Sequence, residues 1–313
     1  MKLHVRTVVH SYEPPLRAAW GELRERALLH VRIDFGAGDW GEGEAAPLEP
    51  YDGVSFAAVR AALDAYACLD APPDELLATC RAERDLPQAL AAVDLALWDR
   101  RSRLERTPIA RLIAPDAVDA VPVNATIGAE DRAGAAAAAA RAVAAGFGCL
   151  KVKVGAGDDA GRLAAVRAVA PSALIRIDAN GAWATPEEAL AHLRALEPIG
   201  IELCEEPVHG AEALRAVRAE SPIPIACDET FAPGATDYAC LKITRGGITG
   251  VLEAARAARA AGTEVYVAST YDGPLGLAAG IHVAAALRPF VHCGLPGSVG
   301  GAVPVPARPG LGA

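Results

Sequence analysis

After residue 120 the sequence settles into one repeating unit: a short β-rich apolar run, a few loop residues, then an Ala/Arg/Leu-rich stretch with helical spacing. The β-rich runs fall at 121–126 (VPVNAT), 149–154 (CLKVKV), 173–178 (ALIRID), 201–205 (IELCE), 223–228 (IPIACD), 239–243 (ACLKI), 265–269 (VYVAS) and 290–293 (FVHC). Helical stretches at 130–145, 158–170, 186–196, 211–220, 249–261 and 276–287 lie between most of them. The unit therefore recurs about every 25 residues, as successive βα units do. Eight such runs can close into a TIM-type (β/α) barrel, of the modified (β/α)7β kind where a helix is missing. A doubly wound open sheet shares the alternation, but it needs a phosphate-binding glycine turn after its first strand, and none is present. The Ala-rich run 134–145 is read as a barrel helix, because alanine is the strongest helix former.

Before residue 120 the pattern is different. Residues 2–10, 25–34 and 38–46 read as strands of a meander, with Gly36, Gly38, Gly41 and Gly43 marking turns, and 54–69, 73–80 and 86–104 show helical spacing. This predicts an N-terminal α+β domain over 1–118, a barrel over 119–300 and an irregular Pro/Gly-rich tail over 301–313. Asp228 and Lys242 stand only fourteen positions apart, and FAPGATDYA between them is too short for a full helix. A barrel helix is expected to be truncated or absent there, leaving the sheet exposed or covered by a neighbouring subunit.

A chain of 313 residues can bury a sizeable core, and its 52% hydrophobic content arrives in runs too short to span a membrane. The first residues alternate without a secretory apolar core, so a soluble, cytoplasmic protein is expected. A net charge of −9 argues against nucleic-acid or anionic-membrane partners. The seven cysteines, with no Cys-x-x-Cys pair, read as small core residues. Of the 30 basic residues only Lys2, Lys151, Lys153 and Lys242 are lysines. A lysine can be tuned to give up its proton whereas arginine stays charged, so lysine in such a chain can mark the places where titration matters. A buried structural pair is the plainer alternative.

Barrel chemistry sits at the carboxyl ends of the strands. Successive ends carry Lys151 and Lys153, Asp178, Glu205, Asp228 and Lys242. Lys151 and Lys153, two apart on one strand, share a face, and the helix layer is apolar, so both amines are expected to point into the lumen. Three carboxylates in a closed space repel one another unless a cation sits among them. Oxygen-only ligation favours Mg²⁺, with Mn²⁺ possible, over zinc or copper. The plainer alternative is that the acids pair with the lysines.

The segments KVKVG, IDANGAW, CEEP, ACDET and LKITRGGI resemble, in order, the motifs of the enolase superfamily, and GDWGEGEAAPLEPYDG and AAVDLALWDR resemble its capping domain. Strand-borne lysines without a histidine dyad are similar to the muconate lactonizing enzyme subgroup. The resemblance implies that Asp178, Glu205 and Asp228 bind the metal and that Lys153 and Lys242 face the substrate from opposite sides, Lys151 assisting Lys153 through the proximity of like charges. It also implies abstraction of a proton next to a substrate carboxylate, the metal stabilising the charge that forms. A Lys or His base with one or two Mg²⁺ ions is the superfamily's general pattern and not a result of this sequence.

The stretch VASTYDGPLGLAAGIHVAAAL followed by VHCGLPGS is most similar to o-succinylbenzoate synthases. That resemblance implies dehydration of 2-succinyl-6-hydroxy-2,4-cyclohexadiene-1-carboxylate to o-succinylbenzoate, a step of menaquinone biosynthesis, with Lys242 holding the intermediate by cation–π contact. N-succinylamino acid racemases and dipeptide epimerases of the subgroup would use the same lysines, although the epimerases' usual Asp-x-Asp element is not found after VHC. A barrel that binds an organic acid without turning it over is the non-enzymatic alternative. Ser269, Thr270 and Gly294 would supply donors to a second carboxylate, or merely end strands. Asn180, Glu206 and Glu229 would support the metal ligands from behind, though Glu229 could equally partner a lysine. His192 reads as a helix-surface residue, while His209 and His292 could approach the pocket; Trp40 and Trp98 read as packing residues. Arg17 and its neighbours 12–22 would form a loop closing over substrate. A homo-oligomer is compatible with all of this.

Overall fold

The computed structural model describes residues 1–18, 21–128, 130–155 and 157–312. The chain opens with an antiparallel meander of β1 (Lys2–Ala18), β2 (Gly21–Gly36) and β3 (Asp39–Ala45), followed by α1 (Glu49–Asp52), α2 (Phe56–Tyr66), α3 (Pro73–Glu83), α4 (Pro87–Glu105) and α5 (Ile109–Ile113). The expected loop at 12–22 is instead backbone strand over 12–18 and 21–22, and the side chain of Arg17 lies outside the described residues. Gly36 and Gly38 do make the β2–β3 turn, at φ +92° and +80°. Gly41 and Gly43, read as turns, lie within β3. A Cβ there would meet the carbonyl oxygens of Ala96 and Ala92 at 1.9 and 2.0 Å, so glycine is what lets α4 lie directly on the sheet.

The second half runs β4 (Ala120–Pro122), β5 (Ala125–Ile127), α6 (Arg132–Ala144), β6 (Cys149–Lys153), α7 (Asp159–Val169), β7 (Leu174–Asp178), α8 (Pro186–Leu196), β8 (Ile201–Glu205), α9 (Ala211–Glu220), β9 (Ile225–Cys227), β10 (Tyr238–Leu241), α10 (Gly247–Ala260), β11 (Glu264–Val267), α11 (Pro274–Leu287) and β12 (Ala302–Pro304). Strands β5 to β11 form one parallel sheet in chain order. The ring is sealed by Cys293 and Gly294, which form parallel bridges to Val123 and Ala268. Cys293 bonds Pro122 O (2.8 Å) and Asn124 N (3.0 Å) through its N–H and carbonyl, and Gly294 bonds Val267 O and Ser269 N, both at 2.9 Å. This is a TIM-type barrel under an N-terminal α+β cap. Its eighth stave is thus a pair of bridging residues and not the strand expected at 290–293.

Two further expectations need correction. The run 121–126 is not one strand: β4 leaves the ring to pair antiparallel with β12, and only β5 belongs to the barrel. The tail is accordingly not wholly irregular. Beyond β12, Gly310 N donates to Ser102 Oγ (2.9 Å) and Leu311 N to Asp99 Oδ1 (2.6 Å), fastening it to α4. The absent helix is as the spacing indicates, since no helix lies between β9 and β10 and the connection makes a turn at Ala232–Ala235.

Strand alternation builds the core. Leu150, Val152, Ile175 and Ile177 turn outward and are fully buried under the helices, while Lys151, Lys153, Arg176 and Asp178 turn into the lumen. On β8 the register slips, with Ile175 opposite Ile201 but Ile177 opposite Cys204. This bulge brings Glu202 and Glu205, three apart, to the same face. Glu202 there takes two bonds from the buried Arg176, at 3.1 and 2.8 Å, forming a charged floor beneath the strand ends.

The cap meets the barrel through α4 and α5. Trp98 Nε1 donates to Thr249 Oγ1 (3.0 Å), and Thr249 N to Asp94 Oδ2 (3.0 Å). Helix α5 begins at Pro108 without a side-chain cap, and Ala110 N donates across the interface to His282 Nδ1 (3.3 Å) on α11. His282 is fully buried, and burial lowers its pKa to about 4. The helix N-terminus beside it also disfavours a cation. Between pH 6.5 and about 4 the unfolded chain binds a proton that the folded chain refuses, so this site destabilises the fold as pH falls, by on the order of 3 kcal/mol in all. Urea unfolding at pH 7 and pH 4.5 should show His282→Gln, which keeps an acceptor but cannot titrate, losing less stability than the parent; equal losses would contradict the assignment.

Candidate active site

Lys151, Lys153, Asp178, Asp228 and Lys242 line one cavity of about 980 Å³, and Glu205 lies fully buried against Lys151. Lys151 Nζ bridges Glu205 Oε1 (2.7 Å) and Asp178 Oδ2 (2.8 Å). Lys153 Nζ binds the same Asp178 oxygen at 2.5 Å and Asn180 Oδ1 at 2.8 Å. Lys242 Nζ lies 3.0 Å from Asp228 Oδ2. The three acids are essentially inaccessible, whereas Lys153 is the most open of the lysines here, its side chain 20% exposed.

Burial alone would push Asp178 up, but Lys151 and Lys153 override it and hold its carboxyl well below the usual range. Burial is likewise opposed at Asp228, which Lys242, Lys151 and Arg245 keep low. At Glu205 burial wins: the pKa is raised despite Lys151, with Asp178 and Asp228 adding to the rise. Lys151 and Lys242 resist the downward push of burial because of their carboxylate partners and remain ammonium groups. Every acid here thus has a lysine, as the plainer alternative foresaw. Yet Glu205 sits beside Asp228, close enough that one oxygen of each and Cys240 Sγ all lie within 4.8 Å of one another. Asp178 is not part of that close set, its Oδ2 being turned to the lysine pair.

The supports come from loops just past the strand ends. Asn180, Glu206 and Tyr271 adopt left-handed backbone at φ +46°, +40° and +58°, an uncommon conformation for such residues that clusters at functional sites. Glu206 accepts from the N–H groups of Asp228 (2.7 Å) and Thr230 (3.0 Å), fixing the loop that carries Asp228. Glu229 does not pair with a lysine; its Oε1 accepts from Asn180 Nδ2 (3.0 Å), and its buried Oε2 has no partner among the described residues. Burial, with Asp228 and Asp178 nearby, pushes Glu229 up to about 7.

Ser269, Thr270 and Gly294 do line the cavity, and so does His209. Ser269 Oγ is already engaged with Asp272 Oδ2 (2.8 Å), while the buried Thr270 Oγ1 has no partner among the described residues. His292 contributes only its carbonyl, to Arg176 (2.8 Å), and His192 stacks on Trp183 outside the cavity lining. Trp40 lies under Arg32 and Arg103.

Several participants escaped the sequence reading. Tyr51, on α1 of the cap, donates to Asp228 Oδ1 (2.7 Å), and Arg245 donates to Tyr51 Oη and to Asp228 O, both at 2.7 Å. Tyr266, pointing into the lumen from β11, donates to Glu205 Oε2 (2.6 Å). Arg26 on β2 donates to the carbonyls of Thr270 and Tyr271, and Glu44 on β3 accepts from Gly273 N (2.6 Å), so the cap also grips the loop after β11. Only Tyr266 carried a signal: two positions before Ala268, which lines the cavity, it shares the face that points inward.

The donor set suits a hard dication. Its oxygens are buried carboxylates, and the Cys240 thiol beside them is pushed well above the ordinary thiol range by burial and by Asp228. The Glu229 Oε2 without a partner among the described residues adds a further carboxylate oxygen to the cavity lining.

The family model described as "Enolase C-terminal domain-like" matches residues 134–313, and the one described as "Mandelate racemase / muconate lactonizing enzyme, N-terminal domain" matches residues 1–114. The L-Ala-D/L-Glu epimerase of Bacillus subtilis (strain 168) is 29% identical, over 95% of this chain and 92% of that protein. The o-succinylbenzoate synthase of Thermobifida fusca (strain YX) is 36% identical, but over 56% of this chain and 59% of that one. A dipeptide epimerase from Enterococcus faecalis V583, solved with Mg and the dipeptide L-Leu-L-Tyr, superposes with a TM-score of 0.90 at 25% identity, covering 99% of this chain and 98% of that one. No helix among the described residues is long and apolar enough to cross a membrane.

Proposed function

We propose, from the premise that this chain belongs to the enolase superfamily, in its mandelate racemase / muconate lactonizing enzyme group, that it removes a proton from the carbon next to a substrate carboxylate. The observation that carries the reading is the convergence of Lys153 and Lys242 on one cavity lined by Asp178 and Asp228, with the buried Glu205 beside Asp228. Those three acids would hold a divalent ion, Mg²⁺ or Mn²⁺, which when bound supplies positive charge for a carboxylate. Lys153, on the open side, would take the proton on Nζ. Lys151, charged between two acids, would hold Asp178 and Glu205 in place, and Asn180 Oδ1 would orient the Lys153 amine. Leu48, Pro50 and Tyr51 from the cap close the cavity's upper wall and would limit water around the reacting carbon.

For the complete reaction we favour dehydration of the o-succinylbenzoate synthase kind. The 36% identity to such an enzyme and the cavity-lining stretch Gly294–Ser298 support it. There Lys242, held as an ammonium by Asp228, would keep its charge and face the intermediate. A second reading, epimerisation by proton exchange on both faces, is supported by the match to the Bacillus subtilis epimerase along nearly the whole chain. The two are separated by an ultraviolet assay for aromatic product from the cyclohexadiene precursor, beside deuterium exchange into N-succinyl amino acids and dipeptides in D₂O. Aromatic product without exchange supports the first, exchange without aromatic product the second, and neither ends the enzymatic reading.

Tyr51 offers a finer check on the proposed ligands. Tyr51→Phe removes a hydrogen bond to Asp228, and such supports typically govern metal affinity by about 10- to 100-fold. Calorimetric titration with Mn²⁺ should show a loss of this order; unchanged affinity would remove Asp228 as a ligand held in this way.

A further inference from the structure

Cys240 stands two positions before Lys242 on the same face, pointing into the lumen below the strand ends. It is 1% exposed, and the described residues offer its thiol no hydrogen bond. The carboxylate oxygens near it are occupied: Glu205 takes Lys151 and Tyr266, and Asp228 takes Lys242 and Tyr51. The thiol is the one polar group of this cluster left without a partner, with an oxygen of each acid inside the same 4.8 Å set. Ligand atoms around a single zinc ion, at about 2.0–2.3 Å from the metal, stand about 3–4 Å apart, so only small side-chain shifts separate this set from a coordination shell.

We propose that Glu205, Asp228 and Cys240 form a second, sulfur-containing metal position, specific for thiophilic dications such as Zn²⁺ or Cd²⁺. Binding would form a metal–sulfur bond and release the thiol proton to solvent, with no change of oxidation state. A thiolate sulfur prefers soft cations to hard ones, so a sulfur at this place distinguishes the two classes of cation. Because two of its ligands are shared, zinc in this position and magnesium or manganese on the three carboxylates exclude one another. The sulfur-containing position rests on these three side chains; only the exclusion rests on the function proposed above.

Zinc-edge X-ray absorption on the full-length wild-type protein with one equivalent of Zn²⁺ tests the position directly. One sulfur scatterer at about 2.3 Å with oxygens at about 2.0–2.2 Å is expected, and a shell of only oxygen and nitrogen overturns it. The sulfur should vanish in Cys240→Ala and persist in Cys68→Ala, whose thiol is exposed; a sulfur retained in Cys240→Ala belongs to another cysteine and also overturns it. Should Cys240→Ala not fold, Cys240→Ser, which nearly keeps the side-chain volume, must lose the sulfur scatterer in its place. For the exclusion, protein preloaded with Mn²⁺ should release it, seen as the free-ion EPR signal, when one equivalent of Zn²⁺ is added. Manganese that stays bound beside zinc overturns the sharing of ligands. Failure of Mn²⁺ and Mg²⁺ to bind at all would sink the proposed function while leaving the zinc shell standing, so the two failures are distinguishable.

Discussion

Replacing Lys153 by Ala is expected to lower turnover, read as aromatic product or as α-proton exchange, by about 10²- to 10⁴-fold, the usual contribution of a positioned general base. The fold should survive, because Asp178 keeps Lys151 at 2.8 Å when Lys153 is gone. Lys153→Arg separates charge from basicity: it preserves a cation beside Asp178 but cannot yield a proton near neutral pH, so its rate should fall nearly as far. Ultraviolet detection of aromatic product and deuterium uptake followed by mass spectrometry, beside far-ultraviolet circular dichroism, read both variants. A folded Lys153→Ala protein within a factor of about ten of the parent would remove this lysine as the base.

Chelation should be the larger effect of all, abolishing turnover until Mg²⁺ or Mn²⁺ is restored, yet leaving a cooperatively folded protein. Three buried carboxylates without a cation would ordinarily destabilise the barrel. Here each has an ammonium within 3.0 Å, so lysines take up the charge when the ion is withdrawn. The metal should then add only the stability of mass action, about 2.7 kcal/mol at one hundred times its dissociation constant. Urea unfolding with and without EDTA measures this increment. Full activity in a protein shown metal-free by elemental analysis would end the metal reading, and unfolding on chelation would show that the lysine pairs cannot stand in.

The proposed chemistry was legible in the sequence because period-two alternation is rigid. Once the strand ends were found, Lys151 and Lys153 had to share a face, and Asp178, Glu205 and Asp228 had to stand at the ends of adjacent strands. The missing helix before Lys242 could be read by counting residues. What lay beyond the sequence depended on contacts distant in the chain. Tyr51 reaches Asp228 across 177 positions, and Arg26 reaches Thr270 across 244. The bulge on β8 that aligns Glu202 with Glu205 has no local marker, since a slipped register is defined only against its neighbour. Gly41 and Gly43 were misread because a glycine that admits a helix backbone and a glycine that turns a chain look alike in one dimension. The antiparallel pairing of β12 with β4 was hidden for the same reason as Tyr51.

The way the ring is sealed has a consequence for how such a molecule is made. Cys293 and Gly294 slot between Val123 and Ala268, and the segment beyond them is stitched first to β4 and then to α4. During synthesis the ribosome delivers this keystone after every piece it joins, so a nascent chain stalled near residue 290 holds an open, unlatched sheet. Long-range closure of this kind is slow and exposes unpaired edges, which makes that late interval the one in which a chaperone would matter most.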